Sequence, residues 1–153
     1  MPNEMKRIMG IDYGTARIGV ALSDELQMLA HPAETISIAK GPDPLMRIAT
    51  LAREKNVETI VVGLPRHMNG SDGVSAEKAR QFAEKLRAQV SCAVRTWDER
   101  LSTVAAHRSL REAGKTTRQT RAYVDQVAAQ ILLQSYLDRL EHNQGGLEPE
   151  PFA

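Results

Sequence analysis

Two apolar runs, Ile8–Ile11 and Ile18–Leu22, flank the polar corner Gly14-Thr15-Ala16-Arg17 and read as two strands joined by a tight turn. Ala33–Ile38, following Pro32, reads as a third, shorter strand. The pattern then turns helical at Asp43-Pro44, where the aspartate can cap free N–H groups and the proline suits a first helical position. Leu45, Ile48, Ala49, Leu51 and Ala52 supply that helix's apolar face. Val57–Pro65 is a β-branched run closed by Gly63 and Pro65, as expected of a strand buried on both faces. A loop rich in Gly, Asn and Asp follows, and Ser75–Val90 returns to helix with Ala79, Phe82, Ala83 and Leu86 on one side. Next come a strand at Cys92–Trp97, the polar corner Asp98-Glu99-Arg100, and a helix from about Ser102 to Ala113 ended by Gly114. A long last helix runs from about Thr120 to His142.

The order is therefore βββαβαβαα. Short links between the first three strands predict an antiparallel meander, and the later strand–helix alternation predicts parallel additions. The expected fold is α/β, a mixed five-stranded sheet flanked by helices. Residues 1–142 form a single domain in this reading, and the Gly/Pro-rich, acidic residues 143–153 a flexible tail.

Composition narrows the setting. With 153 residues, 25 % of them charged and 42 % hydrophobic, the chain has the make-up of one globular domain. No apolar run approaches the roughly 20 residues needed to cross a membrane, and "MPNEMKR" contains no signal-peptide core. Cys92 is the one cysteine, so neither a disulfide framework nor a cysteine zinc site is available. A cytoplasmic protein with no membrane contact is the expectation. The net charge of +1 conceals a local excess: between His107 and Tyr123, Arg108, Arg111, Lys115, Arg118 and Arg121 face a single acid, Glu112. Such a segment suits a phosphate backbone, or equally a solvated helix face.

Three places break the pattern with a carboxylate. Asp12 sits at the end of a strand that should be central, where an unpartnered acid would be costly. Asp98 and Glu99 end the last strand. Asp125 lies in the last helix in line with Ala128, Ala129 and Leu132, the residues that should meet the sheet. Acids converging from strand ends and a helix make an oxygen-rich site, which hard divalent ions such as Mg²⁺ accept without His or Cys. Such ions can activate water and stabilise the leaving oxygen of a phosphodiester. Capping or pairing with Arg17, Arg100 or Arg121 is the simpler role for any one of them.

"GIDYGTARIGVALSD", "VVGLPRHMNGSDG", "WDERLST" and "VDQVAAQILLQSYL" together resemble, in order and spacing, the YqgF/RuvX family of RNase H-like Holliday junction resolvases, also described as pre-16S rRNA nucleases. The resemblance runs from about Lys6 to Leu140. It implies an RNase H-like fold and a hydrolase, a Mg²⁺- or Mn²⁺-dependent nuclease acting on precursor rRNA in ribosome biogenesis or on branched DNA, as a monomer or homodimer. It carries metal-binding and catalytic roles to Asp12, Glu99 and Asp125, with Asp98 competing for the middle position. "VVGLP" offers no acid where related resolvases would have one. Arg17, Arg66, Asn69, Arg100, Lys115, Arg118 and Arg121 are the candidates for gripping nucleic acid. Tyr13 could stack on a base, whereas Trp97 reads as packing.

Two other functions fit parts of the pattern. "DYGT" followed by "IGVA" also resembles the first phosphate loop of actin-type ATP-binding proteins, but those need two such lobes and this length supplies one. A catalytically silent nucleic-acid-binding module would keep the basic segment and need no intact acids.

Overall fold

A computed structural model of the chain describes residues 6–65, 73–101 and 118–142. Five strands form one sheet: β1 (Arg7–Tyr13), β2 (Arg17–Ser23), β3 (Ala30–Ser37), β4 (Val57–Leu64) and β5 (Ala93–Asp98), in the spatial order β3-β2-β1-β4-β5. The apolar run of β1 makes it the centre. It pairs antiparallel with β2 and parallel with β4, and β5 extends the sheet parallel to β4. The mixed meander-plus-parallel arrangement is the one the alternation predicts. Helix α1 spans Pro44–Glu54, α2 Val74–Gln89 and α3 Arg118–His142, and a short 3₁₀ turn covers Glu99–Leu101. Asp43 caps α1, its Oδ1 accepting from the Leu45 N–H at 3.1 Å, with Pro44 at the first position. The helix expected at Ser102–Ala113, the loop 66–72 and the tail 143–153 lie outside the described residues.

The third strand starts three residues earlier than its pattern suggests and takes Pro32 into it. Proline removes a ladder donor, so it belongs at an edge or a bulge. Here it has both: β3 is the edge strand, and the β2–β3 register slips where Pro32 faces Ala21.

The pleat sorts side chains between two layers. Met9, Ile11, Val62 and Leu64 point to α1 and α2, where Ile48, Phe82 and Leu86 complete one core. Ile8, Ala21, Val61 and Trp97 point to α3 and pack on Ala129, Leu133 and Tyr136. Trp97 is 1 % exposed and meets Tyr136 edge-on at 5.2 Å, the packing role its surroundings suggest. The second face is cleared for close approach by glycines. A methyl at Gly10 would stand 2.8 Å from the Leu133 Cβ, and one at Gly63 would stand 2.9 Å from a Leu132 methyl. Small helix residues, Ala128 and Ala129, meet this cleared surface.

A stripe of glutamines fixes the helix laterally. Gln126 donates to Thr35 Oγ1 (3.2 Å), Gln130 to the Ala30 carbonyl (3.0 Å) and Gln134 to the Met28 carbonyl (3.0 Å), while Gln134 also accepts from the Ala30 N–H (2.8 Å). Spaced four residues apart they lie along one side of α3. Two of these bonds engage the backbone of Ala30, the residue that opens the edge strand β3.

Candidate active site

Asp12, Glu99 and Asp125 come from β1, the turn after β5 and α3, and the fold brings all of them to the α3 side of the sheet near the C-terminal ends of the parallel strands. For Asp12 the argument is alternation. Ile8 and Gly10 face α3, so the pleat turns Asp12 the same way. Its cross-strand partner is Gly19. The Asp125 backbone rests on that glycine: a methyl there would lie 2.5 Å from the Asp125 carbonyl carbon. The helix acid thus arrives beside Asp12 because Gly19 has no side chain to hold it off. Asp12 and Asp125 are each 5 % exposed.

Glu99 reaches the same face from the opposite flank. Its Oε1 stands 3.0 Å from where a Gly63 methyl would be, next to Leu132. The glycine that stands where an acid was looked for in "VVGLP" therefore leaves room for one from the turn after β5. Asp98 behaves differently although it is buried to 1 % exposure. The Arg100 guanidinium closes on it, Nε at 2.8 Å and Nη2 at 2.5 Å from Oδ2, and the Arg100 N–H donates to Oδ1 at 2.9 Å. Charge-assisted paired bonds of this kind are strong and directional. They tie Asp98 into the corner and engage the Arg100 guanidinium, whose side chain is still one-third exposed.

Arg17, at the hairpin tip, is engaged too. Its Nε lies 2.5 Å from Asp125 Oδ2, with the arginine side chain one-third exposed and the aspartate nearly buried. The hairpin that carries it is closed by the Gly14 N–H donating to the Arg17 carbonyl at 2.9 Å. A cation on the rim thus balances a carboxylate beneath it, while its outer side remains open to solvent.

Among the described residues, no group of three or more His, Cys, Asp and Glu side chains stands close enough together to enclose a metal ion. The chemistry of the donor set does suit one: carboxylate oxygens without nitrogen or sulfur, nine-tenths or more buried, are what a hard divalent cation takes. Of the other expected contacts, Arg66, Asn69 and Lys115 lie outside the described residues, as do the side chains of Arg118 and Arg121 in the first turn of α3.

A family model described as RuvX, Holliday junction resolvase, matches residues 6–139. The chain is 51 % identical over 137 residues to a Moorella thermoacetica protein named "Putative pre-16S rRNA nuclease", covering 90 % of this chain and 98 % of the relative. A protein of the same name from Geobacillus kaustophilus is 47 % identical over 134 residues, covering 86 % and 97 %. Among solved structures, T. thermophilus RuvC in complex with Holliday junction substrate superposes with a TM-score of 0.58 at 12 % identity, covering 95 % of this chain and 99 % of that one. A second structure, of Thermus thermophilus RuvC, gives 0.51 at 12 % identity over 88 % and 96 %. At such identity the likeness is one of fold, an RNase H-like resolvase fold.

Proposed function

This chain belongs to the RuvX family of Holliday junction resolvases, and from that membership we propose that it is a divalent-metal-dependent nuclease that hydrolyses phosphodiester bonds in structured nucleic acid, with precursor 16S rRNA as its substrate. The observation that supports the reading is the burial of Asp12, Glu99 and Asp125, with Asp12 paired across strands to Gly19, the Asp125 backbone seated on that glycine and Glu99 beside Gly63. Curated relatives that match over nearly their whole length bear the rRNA nuclease name.

Asp12, Glu99 and Asp125 are the residues to hold Mg²⁺ or Mn²⁺, which supplies a lowered pKa for attacking water and charge stabilisation at the phosphate. The protein's own part is positioning. Gly19 and Gly63 let two of the acids come in close, and Arg100 keeps Asp98 out of the set. Arg17 compensates the Asp125 charge, and its exposed side is placed to meet a phosphate. The expected grips on the substrate backbone are Arg66, Asn69, Lys115, Arg118 and Arg121 together with Arg17. No helix among the described residues is long and apolar enough to cross a membrane, and work on ribosomal RNA belongs in the cytoplasm.

The family description and the RuvC fold favour one other reading, resolution of four-way DNA junctions. That activity cuts two strands symmetrically and so calls for a homodimer, whereas trimming an rRNA precursor can be done by a monomer. The deciding experiment incubates the purified protein with a labelled 16S rRNA precursor and a labelled four-way junction, in Mg²⁺ and in Mn²⁺, beside Asp12→Asn. Cleavage of the RNA alone, lost in the variant, is the expected result. Symmetric junction cleavage would replace rRNA processing with recombination, and cleavage of neither would leave a binding module.

A further inference from the structure

On the sheet face opposite the carboxylates, directly behind Asp12, lies a cleft of about 330 Å³, a size within the range of small-ligand sites. Tyr13 forms one wall, packed on Phe82 with ring centroids 4.7 Å apart. Thr15 of the β1–β2 turn lines the rim, and α2 supplies Lys78, Gln81 and Lys85. Those three and Phe82 are spaced i, i+3, i+4 and i+7, so they share one side of the helix. Among the described residues, no acid lines the cleft.

The acids of α2 are taken elsewhere: Glu77 pairs with Arg80 and Glu84 with Arg87. Lys78 and Lys85 are exposed and have no carboxylate partner among the described residues. Two lysines whose backbones lie about 10 Å apart along a helix, over a cleft walled by an aromatic ring, match the chemistry of a nucleotide. A phosphate would meet the lysines and a base would lie against Tyr13. Consecutive strand residues face opposite sides of a sheet, so Tyr13 and Asp12 sit on either side of the same strand end.

We infer that this cleft is a subsite for one nucleotide of the bound nucleic-acid strand, which crosses the end of β1 from the carboxylate face into the Tyr13–Lys78–Lys85 cleft. The inference rests on the nuclease reading and adds a substrate contact outside the carboxylate face. The subsite is blind to base identity, because stacking and phosphate contacts carry no sequence code.

Fluorescence anisotropy of a short labelled oligouridine tests it, in EDTA so that nothing is cut, over a series of KCl concentrations. Lys78→Gln/Lys85→Gln is expected to weaken binding about tenfold at about 0.1 M salt. It should also flatten the slope of log K against log [KCl] by about 1.4, the share of two phosphates on a single strand. Tyr13→Leu, checked for native unfolding, should weaken binding about fivefold or more with the slope unchanged. Wild-type affinity and slope in the lysine double variant would overturn the subsite and leave the nuclease reading intact. Loss of free UMP binding with oligouridine binding unchanged would also overturn it, making the cleft a mononucleotide site. If the wild-type protein bound no oligouridine, the subsite would also fall, whereas the nuclease reading falls only if the 16S rRNA precursor and the four-way junction are both left uncut in Mg²⁺ and in Mn²⁺.

Discussion

Gly19→Ala is the sharpest structural perturbation of the site, because its cost follows from one close approach. The new methyl would stand 2.5 Å from the Asp125 carbonyl carbon and 3.2 Å from the Gln126 nitrogen, and closer still to the Asp125 oxygen. All of these atoms are backbone, so no rotamer change relieves the contact; either α3 lifts or β2 bends. Overpacking costs typically 1–3 kcal/mol, and a clash between two main chains puts this variant near the top, about 3 kcal/mol. In a domain of this size that is roughly 6–12 °C in Tm. Lifting α3 also carries Asp125 away from Asp12, so nuclease activity should fall by more than the unfolded fraction explains. Two neighbours calibrate the effect. Gly10→Ala meets the Leu133 Cβ at 2.8 Å and the Ala129 carbonyl oxygen at 3.1 Å, neither of which a rotamer change moves, but both less tightly than at Gly19, so about 2 kcal/mol is expected. Gly41→Ala meets nothing within 4 Å but sits at φ +88°, so it should cost about 1 kcal/mol of backbone strain and no activity. Thermal unfolding followed by circular dichroism at 222 nm, with cleavage assays on the same preparations, reads all three. A Gly19→Ala protein that melts within about 2 °C of wild type and cuts normally would refute the close seating of α3 on β2.

Other consequences follow from individual contacts. Arg17→Ala removes the cation 2.5 Å from the buried Asp125 carboxylate; calorimetry should show a loss of about 1–2 kcal/mol without divalent metal, discounted for the arginine's exposure. Mn²⁺ should raise the variant's Tm more than the wild type's, since the ion replaces the missing charge. Glu34 is held below its ordinary value of 4.5, first by the hydrogen bond from Arg47. A depressed carboxylate adds stability above its unfolded pKa and loses it as pH falls through the folded one. Arg47→Gln should therefore cost up to about 1 kcal/mol near neutrality, and urea titrations should show the gap to wild type closing as pH drops below 4.5. Burial pushes the Cys92 thiol above its ordinary 9.0, so iodoacetamide should label it slowly at neutral pH and far faster in urea.

The sequence pattern exposed the acids more clearly than their arrangement. Asp12 and Asp125 stood out because each interrupts an apolar face, and both proved buried. The choice between Glu99 and Asp98 was not visible, since adjacent acids at a strand end differ only in which way the chain turns. In the structure the chain turns so that Arg100 closes on Asp98 while Glu99 lies beside Gly63. Pro32 hid the start of β3 because a proline reads as a boundary, and its tolerance depends on β3 being an edge, a property of the sheet rather than of the segment. The role of Gln126, Gln130 and Gln134 depends on β3 lying beside them, which no local pattern in the last helix signals. Lys78 and Lys85 carry no signal in the sequence that sets them apart from the other charges of that helix. Their lack of partners shows only when Arg80 and Arg87 are seen to hold the neighbouring glutamates.

The central claim is that Asp12, Glu99 and Asp125 act as one set and Asp98 does not. Single-turnover cleavage of a labelled 16S rRNA precursor tests it with Asp12→Asn, Glu99→Gln, Asp125→Asn and Asp98→Asn, each rate corrected for the folded fraction. Loss of a metal-holding carboxylate should cost at least about 100-fold in each of the first three variants, beyond the effect of losing an outer-shell partner. Asp98→Asn should lose stability while its folded molecules keep a rate within about tenfold of wild type. Full activity in Glu99→Gln together with a dead Asp98→Asn would contradict the account, placing the middle acid on the other side of the corner.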